Sequence, residues 1–164
     1  MDEELIKEIT RRVKETLENS NIIPIEASGR HIHLSKEHVE VLFGKDYELK
    51  KKKELSQPGQ FQSEERVTLI GPKGVIENVA VLGPERGRTQ VEISKTDARQ
   101  LGINPPVRDS GDLDGSETIY IATTKAVIEA KESVIVAKRH IHMNSEDALR
   151  LKVKDKDIVN VRIK

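Results

Sequence analysis

Cysteine is absent from the 164 residues, which removes thiolate nucleophiles, disulfides and Cys-type zinc sites together. Any metal must then be held by histidine and carboxylate. Aromatics are scarce as well: only Phe43, Tyr47, Phe61 and Tyr120 occur, too few for the base-stacking platforms of single-strand binders. Nor is there an excess of one charge, since 28 basic side chains balance 28 acidic ones. No global field draws in nucleic acid, and any anion site must be local. The chain has no apolar run of about 18 residues and no signal-peptide pattern, which predicts a soluble cytoplasmic protein without a membrane partner. Its length allows one medium domain or two small ones. It is too short for a (β/α)₈ barrel, which takes about 250 residues, and this excludes the usual scaffold of His-x-His amidohydrolases.

What the chain does contain is a repeated histidine motif. Arg30-His31-Ile32-His33-Leu34 returns as Arg139-His140-Ile141-His142-Met143, and four of the five histidines lie in the two copies. A strand sets residues i and i+2 on one face, roughly 6.5 to 7 Å apart, so each pair can converge on one ion. Neutral imidazole is the commonest metal ligand, and the arginine ahead of each pair can hold an anion beside the metal. A lone His-x-His is more often a pair of solvated or hydrogen-bonded rings. Its duplication is what points to a metal and an anionic substrate.

The rest of the chain supplies a frame for these pairs. Leu5, Ile6, Ile9, Val13 and Leu17 recur at spacings of three and four, the pattern of an amphipathic helix. Such a helix packs on its own core or a second subunit, or docks on another protein. After Pro24, residues 25–34 read as a strand carrying the first His pair. Ser35 then caps a helix running to Phe43 and stopped by Gly44, with His38 on its surface. The stretch from Lys50 through Gln60 reads as a solvated hairpin. Apolar runs at 67–70 and 75–82, broken by Gly71-Pro72-Lys73-Gly74 and Gly83-Pro84, predict strands with tight turns. Residues 89–94 alternate strictly, so Val91 and Ile93 face a core while Gln90, Glu92 and Ser94 share the polar side. Thr96 is expected to cap a helix to Leu101, ended by Gly102. Asp112-x-Asp114-Gly115 looks like part of a calcium loop whose other ligands are missing. Further strands are expected at 119–123, 126–130 and 133–137, the last running into the second His pair. Asn144 then caps a helix to Leu151, and a strand follows from Ile158 to Ile163.

Four motifs in order carry a resemblance. They are Arg-His-Ile-His-Leu-Ser at 30–35; Gly83-Pro84-x-Arg86-x-x-Thr89-Gln90-Val91-Glu92-Ile93-Ser94; Pro106-Val107-Arg108-x-Ser110-Gly111-Asp112-Leu113-x-Gly115-Ser116; and Arg-His-Ile-His-Met at 139–143. Together they resemble the phosphotransacylases of the propanediol-utilisation type, the phosphate propanoyltransferases, over nearly all of residues 20–164. The resemblance implies a mainly β fold of two small β-barrels with short capping helices. Residues 1–20 would be the amphipathic helix and 21–29 a strand of the C-terminal barrel; 30–137 would form the central barrel and 138–164 the C-terminal one. It also implies interconversion of an acyl-CoA (propanoyl-CoA or acetyl-CoA) plus phosphate with an acyl phosphate plus coenzyme A, at a two-zinc site. One zinc would be held by His31, His33 and Glu92, the other by His140 and His142, and Arg86 would bind the phosphate.

That chemistry suits those residue types. A His₂Glu set leaves a fourth position open on zinc, and the ion then acts as Lewis acid and template. Phosphate clamped beside the thioester is placed for attack, so no protein nucleophile is required. Members of this family continue past the position of Lys164 with further strands and a third His, so the second barrel is expected to be incomplete and its zinc short of a ligand. The resemblance further implies a homo-oligomer, expected as a dimer, and for the N-terminal helix an entry into bacterial microcompartments through shell or core proteins. Two other readings stay open. One is a truncated, non-catalytic module that binds metal or coenzyme A. The other is a cupin-like metalloprotein, because Glu37 and Glu146 follow the two His pairs.

Overall fold

The computed structural model describes residues 3–18, 29–55 and 57–162. The chain divides into two units, one of Gly29–His142 and one of Met1–Ser28 with Met143–Lys164. In the second unit the predicted amphipathic helix is present as α1 (Glu3–Glu18). Its polar side is laced by pairs one turn apart, Lys7 with Glu3, Arg12 with Glu8, and Arg11 with Glu15 and Glu8, the spacing at which opposite charges support a helix. Its apolar residues Leu5, Ile6, Ile9 and Val13 are exposed. No helix among the described residues is long and apolar enough to cross a membrane.

The larger unit is a barrel. Strand β1 (His31–Ser35) buries Ile32 and Leu34 and turns the two histidines to its other face, because successive side chains of a strand alternate. Ser35 both closes β1 and caps α2 (Lys36–Phe43), its Oγ accepting from the His38 N–H at 3.3 Å, and Gly44 ends the helix at φ 126°. The basic stretch becomes β2 (Lys51–Glu54), fully exposed, in a hairpin with β3 (Phe61–Ile70). Next come β4 (Val75–Arg86), β5 (Gln90–Glu92), α3 (Lys95–Leu101), β6 (Val107–Arg108), β7 (Glu117–Ala122) and β8 (Val127–Ala137). Pairing runs β3-β4-β1-β5-β8-β7 and returns to β3, so six strands close on themselves, with β2 and β6 added outside the ring. Closure removes the unpaired edges that an open sheet would present. The core is aliphatic, with Ile32, Leu69, Val81, Ile121 and Val134 wholly shielded; burying each such side chain stabilises the barrel by about 1.5–3 kcal/mol.

Several local expectations change in this context. The strand expected to stop at Gly83-Pro84 continues to Arg86, because Gly83 pairs with Phe61 and Arg86 with Ser35. The strands expected at 126–130 and 133–137 are one bent strand, β8, in which Glu132 takes a left-handed φ of 43°. The cap of α3 is Ser94 rather than Thr96: Ser94 Oγ accepts from the Asp97 N–H at 3.0 Å, and the Asp97 carboxylate accepts from the Ser94 N–H at 3.1 Å. This reciprocal capping box satisfies two donors that the helix itself cannot. The calcium-loop fragment is occupied by cations of the protein, Asp112 by Arg108 at 2.9 Å and Asp114 by Arg88 at 2.7 Å.

Beyond residue 142, α4 (Ser145–Leu151) has the predicted Asn144 cap, whose side chain accepts from the Asp147 N–H at 2.7 Å. Residues 158–162 form no strand, contrary to the expectation for Ile158–Ile163. A strand needs a neighbour to take its N–H and C=O groups, and none is paired with this segment among the described residues. Ile163 lies outside those residues, as do 21–28 of the strand expected at 21–29.

Candidate functional site

The site is built on the barrel wall where β1 runs between β4 and β5. Antiparallel register puts His31 opposite Glu92 and His33 opposite Gln90. Ile32 and Val91 take the core side, so these four polar residues share the other face. On the second flank, His33 pairs with Leu82 but Ser35 pairs with Arg86. Between these pairs three residues of β4, Gly83 to Glu85, stand against one of β1, Leu34, a bulge in which Pro84, having no N–H, costs no ladder bond. The bulge brings Arg86 to the histidine face.

The first pair is oriented as metal-binding imidazoles are. His31 Nδ1 lies 2.9 Å from the Gly29 carbonyl; only an N–H can satisfy that oxygen, so Nδ1 carries a proton and Nε2 is the ring atom left for a metal. Nε2 faces Glu92 Oε2 at 3.6 Å. A ring N–H donated to a carbonyl, with the other nitrogen free, is the usual outer-shell arrangement of a ligating histidine. His33 is 3 % exposed, and its Nδ1 is a buried polar atom without a hydrogen-bond partner. Such an orphan is rare and calls for a partner. Its pKa is pushed down to about 3, first by burial and then by the positive charges of Arg86 and His31, against a backbone hydrogen bond to Leu82. The ring is therefore neutral at ordinary pH, as a metal ligand has to be.

The second pair stands on different structure. Strand β8 ends at Ala137, and 138–144 have no regular secondary structure, so His140 and His142 are not on the strand that the pattern predicts. They still meet, with Nε2 atoms 3.0 Å apart and rings edge-on. His140 Nδ1 lies 2.6 Å from the Lys138 carbonyl, repeating the arrangement of His31 and Gly29. The pKa of His142 is lowered by desolvation and then by His140; Glu92 opposes this and Arg86 adds to it. The second pair thus lies within electrostatic range of Glu92 and Arg86.

Among the described residues, no three histidine or carboxylate side chains converge at metal-ligand spacing. They are brought together in pairs, His31 with Glu92 and His140 with His142, and the His33 ring centre is 5.4 Å from that of His31. The donors fit a zinc ion in kind, being imidazoles and one carboxylate.

Arg86 is half-buried, and its guanidinium makes no hydrogen bond or ion pair among the described residues. Burial lowers its pKa and the charge of Glu92 holds it up. A partly desolvated guanidinium with open donors suits a carboxylate or phosphate. Arg30, by contrast, is already paired outside the first His pair: its Nη1 bonds Asp97 Oδ1 at 2.9 Å. Glu37 is exposed and pairs with neither His31 nor His33 among the described residues, so the first half lends the cupin-like alternative no support.

Two features escape a reading of the sequence. His38, expected on the surface, is half-buried with Nδ1 2.7 Å from Thr89 Oγ1, while Thr89 also accepts from the Ser35 N–H at 3.0 Å; burial lowers the pKa of His38. Gln90 is 2 % exposed and touches Glu92 directly. Its sequence signals are its place in the Thr89-Gln90-Val91-Glu92 motif and the strict alternation of 89–94, which puts it on the Glu92 face. An open cavity of about 350 Å³ elsewhere on the barrel, lined by Phe43, Arg66, Asn78 and Lys125 among others, contains none of these site residues.

Comparison with known proteins agrees along nearly the whole chain. A family model described as phosphate propanoyltransferase matches residues 24–164. A phosphate propanoyltransferase of Alkaliphilus metalliredigens is 56 % identical over 99 % of this chain and 79 % of its own length. Those of Enterococcus faecalis and Thermotoga maritima are 49 % and 55 % identical, over 98 % and 92 % of this chain and 75 % and 72 % of theirs.

Proposed function

Because the chain belongs to the phosphate propanoyltransferase family, a family of acyltransferases, we propose that it moves the acyl group between propanoyl-CoA and phosphate, with acetyl-CoA as a second substrate. The observation that carries this reading to particular residues is the shared face of three adjoining strands, where His31, His33 and Glu92 lie beside the open guanidinium of Arg86. Zinc held by His31, His33 and Glu92, with a second ion on His140 and His142, would supply Lewis acidity at the thioester carbonyl.

The protein's own groups do the rest. Arg86 takes two oxygens of phosphate and presents a third to the carbonyl carbon, turning a collision into a placed attack. As the C–O bond forms, charge gathers on the carbonyl oxygen within reach of the same cation. The C–S bond then breaks, acyl phosphate departs, and the proton that phosphate carried ends on the sulfur of coenzyme A. His33, held neutral by burial, is a ligand and not a proton donor in this scheme.

The exposed apolar side of α1 supports its use as a docking helix for shell or core proteins of a bacterial microcompartment. Unchanged partition into shells after deletion of residues 1–20 would sink that assignment. The transferase itself is tested by phosphate-dependent release of coenzyme A from propanoyl-CoA and acetyl-CoA, with zinc measured on the same sample. Turnover with about two zinc ions per chain is expected. No turnover with about one zinc would reduce the chain to a metal-binding module.

A further inference from the structure

We propose that Gln90 is a positioning residue for Glu92, occupying one carboxylate oxygen so that the other is aimed at the ion shared with His31. The inference rests on the zinc reading of that site. Gln90 is 2 % exposed and uses both ends of its amide: Nε2 donates to Glu92 Oε1 at 2.6 Å and to Ser110 Oγ at 2.8 Å, while Oε1 accepts from the Gly111 N–H at 2.8 Å. The orientation of the amide follows from this. Gly111 offers only a donor, so the amide oxygen must face it, and the NH₂ group is left for the carboxylate.

Residues i and i+2 of a strand point the same way, and the longer side chain of Gln90 bends along that face to reach its neighbour. Glu92 then has one oxygen engaged and the other, Oε2, 3.6 Å from His31 Nε2. It offers a single defined ligand atom instead of a carboxylate free to rotate. At its other end Gln90 is anchored to a turn that only glycine adopts easily, Gly111 standing at φ 95°. The anchor belongs to the loop after β6, so loop and ligand are tied through one buried amide. A glutamate at position 90 would keep the shape but set one carboxylate against another.

The test is zinc affinity by chelator competition, together with the visible spectrum of the cobalt(II) form, on the full chain and on Gln90→Met and Gln90→Glu. Outer-shell partners of metal ligands are typically worth 10- to 100-fold in affinity. Both variants should lose about that much, with a changed cobalt spectrum. A folded variant with wild-type affinity and an unchanged spectrum would overturn the positioning role while leaving the zinc site standing. A wild-type chain that holds no zinc would overturn the reading of the site itself, and the role of Gln90 with it. In the zinc-loaded wild type, the Gln90 side-chain amide protons should exchange slowly with deuterium. Exchange as fast as that of exposed glutamines would contradict the proposal even if neither variant folds.

Discussion

Acidifying the metal-free protein should destabilise it through His33, and the size of the effect follows from where that ring sits. His33 is 3 % exposed and titrates near 3 instead of near 6.5, because burial and the charges of Arg86 and His31 all oppose its protonation. Above pH 6.5 the ring is neutral whether the chain is folded or not, and the linkage contributes nothing. Below that, the unfolded chain binds a proton that the native state refuses. Stability is therefore lost as pH falls from 6.5 towards 3, at about 1.4 kcal/mol per pH unit. Between pH 6.5 and 5 this amounts to about 2 kcal/mol, a large share of the 5–15 kcal/mol that holds a typical domain together. Urea unfolding of chelator-treated protein at pH 7, 6 and 5 would measure it, with His33→Gln as the reference that cannot titrate. His38 and His142, also lowered, contribute to both proteins and cancel in the comparison. The wild type should lose about 2 kcal/mol more than the variant; parallel curves would refute the argument.

Arg86→Met should lower phosphate-dependent turnover about 10²- to 10³-fold with zinc content unchanged, and an unaltered dependence on phosphate concentration would remove Arg86 from the anion site. Ser94→Ala deletes the α3 cap and its capping box and should cost about 1 kcal/mol, read as a shift in the urea midpoint. In Gly71→Ala the new Cβ would run into the carbonyl oxygen and Cβ of Leu101. Backbone cannot yield as a side-chain tip can, so a loss of about 1–3 kcal/mol is expected, and a neutral result would mean that α3 shifts freely.

What the sequence by itself determined is local. The alternation in 31–34 and 89–94 was enough to put His31 with His33, and Gln90 with Glu92, on faces opposite to Ile32 and Val91, because the period of a strand is built into its backbone. Ser35 and Asn144 as caps, and Gly44 and Gly102 as stops, were equally legible, since each acts over three or four residues. Where a better local bond competed, the reading slipped: Ser94 displaced Thr96 once the side chain of Asp97 could answer it. The tertiary structure alone decided the long-range facts. It set Glu92 opposite His31, delivered Arg86 through a bulge at Pro84, spent Arg30 on Asp97, and enclosed Gln90 and His38. It also carried β4 through Gly83-Pro84 and left His140 and His142 off any strand. Register, burial and choice of partner depend on segments far apart in the chain, and a pattern of period two says which face a side chain takes but not what will stand across from it.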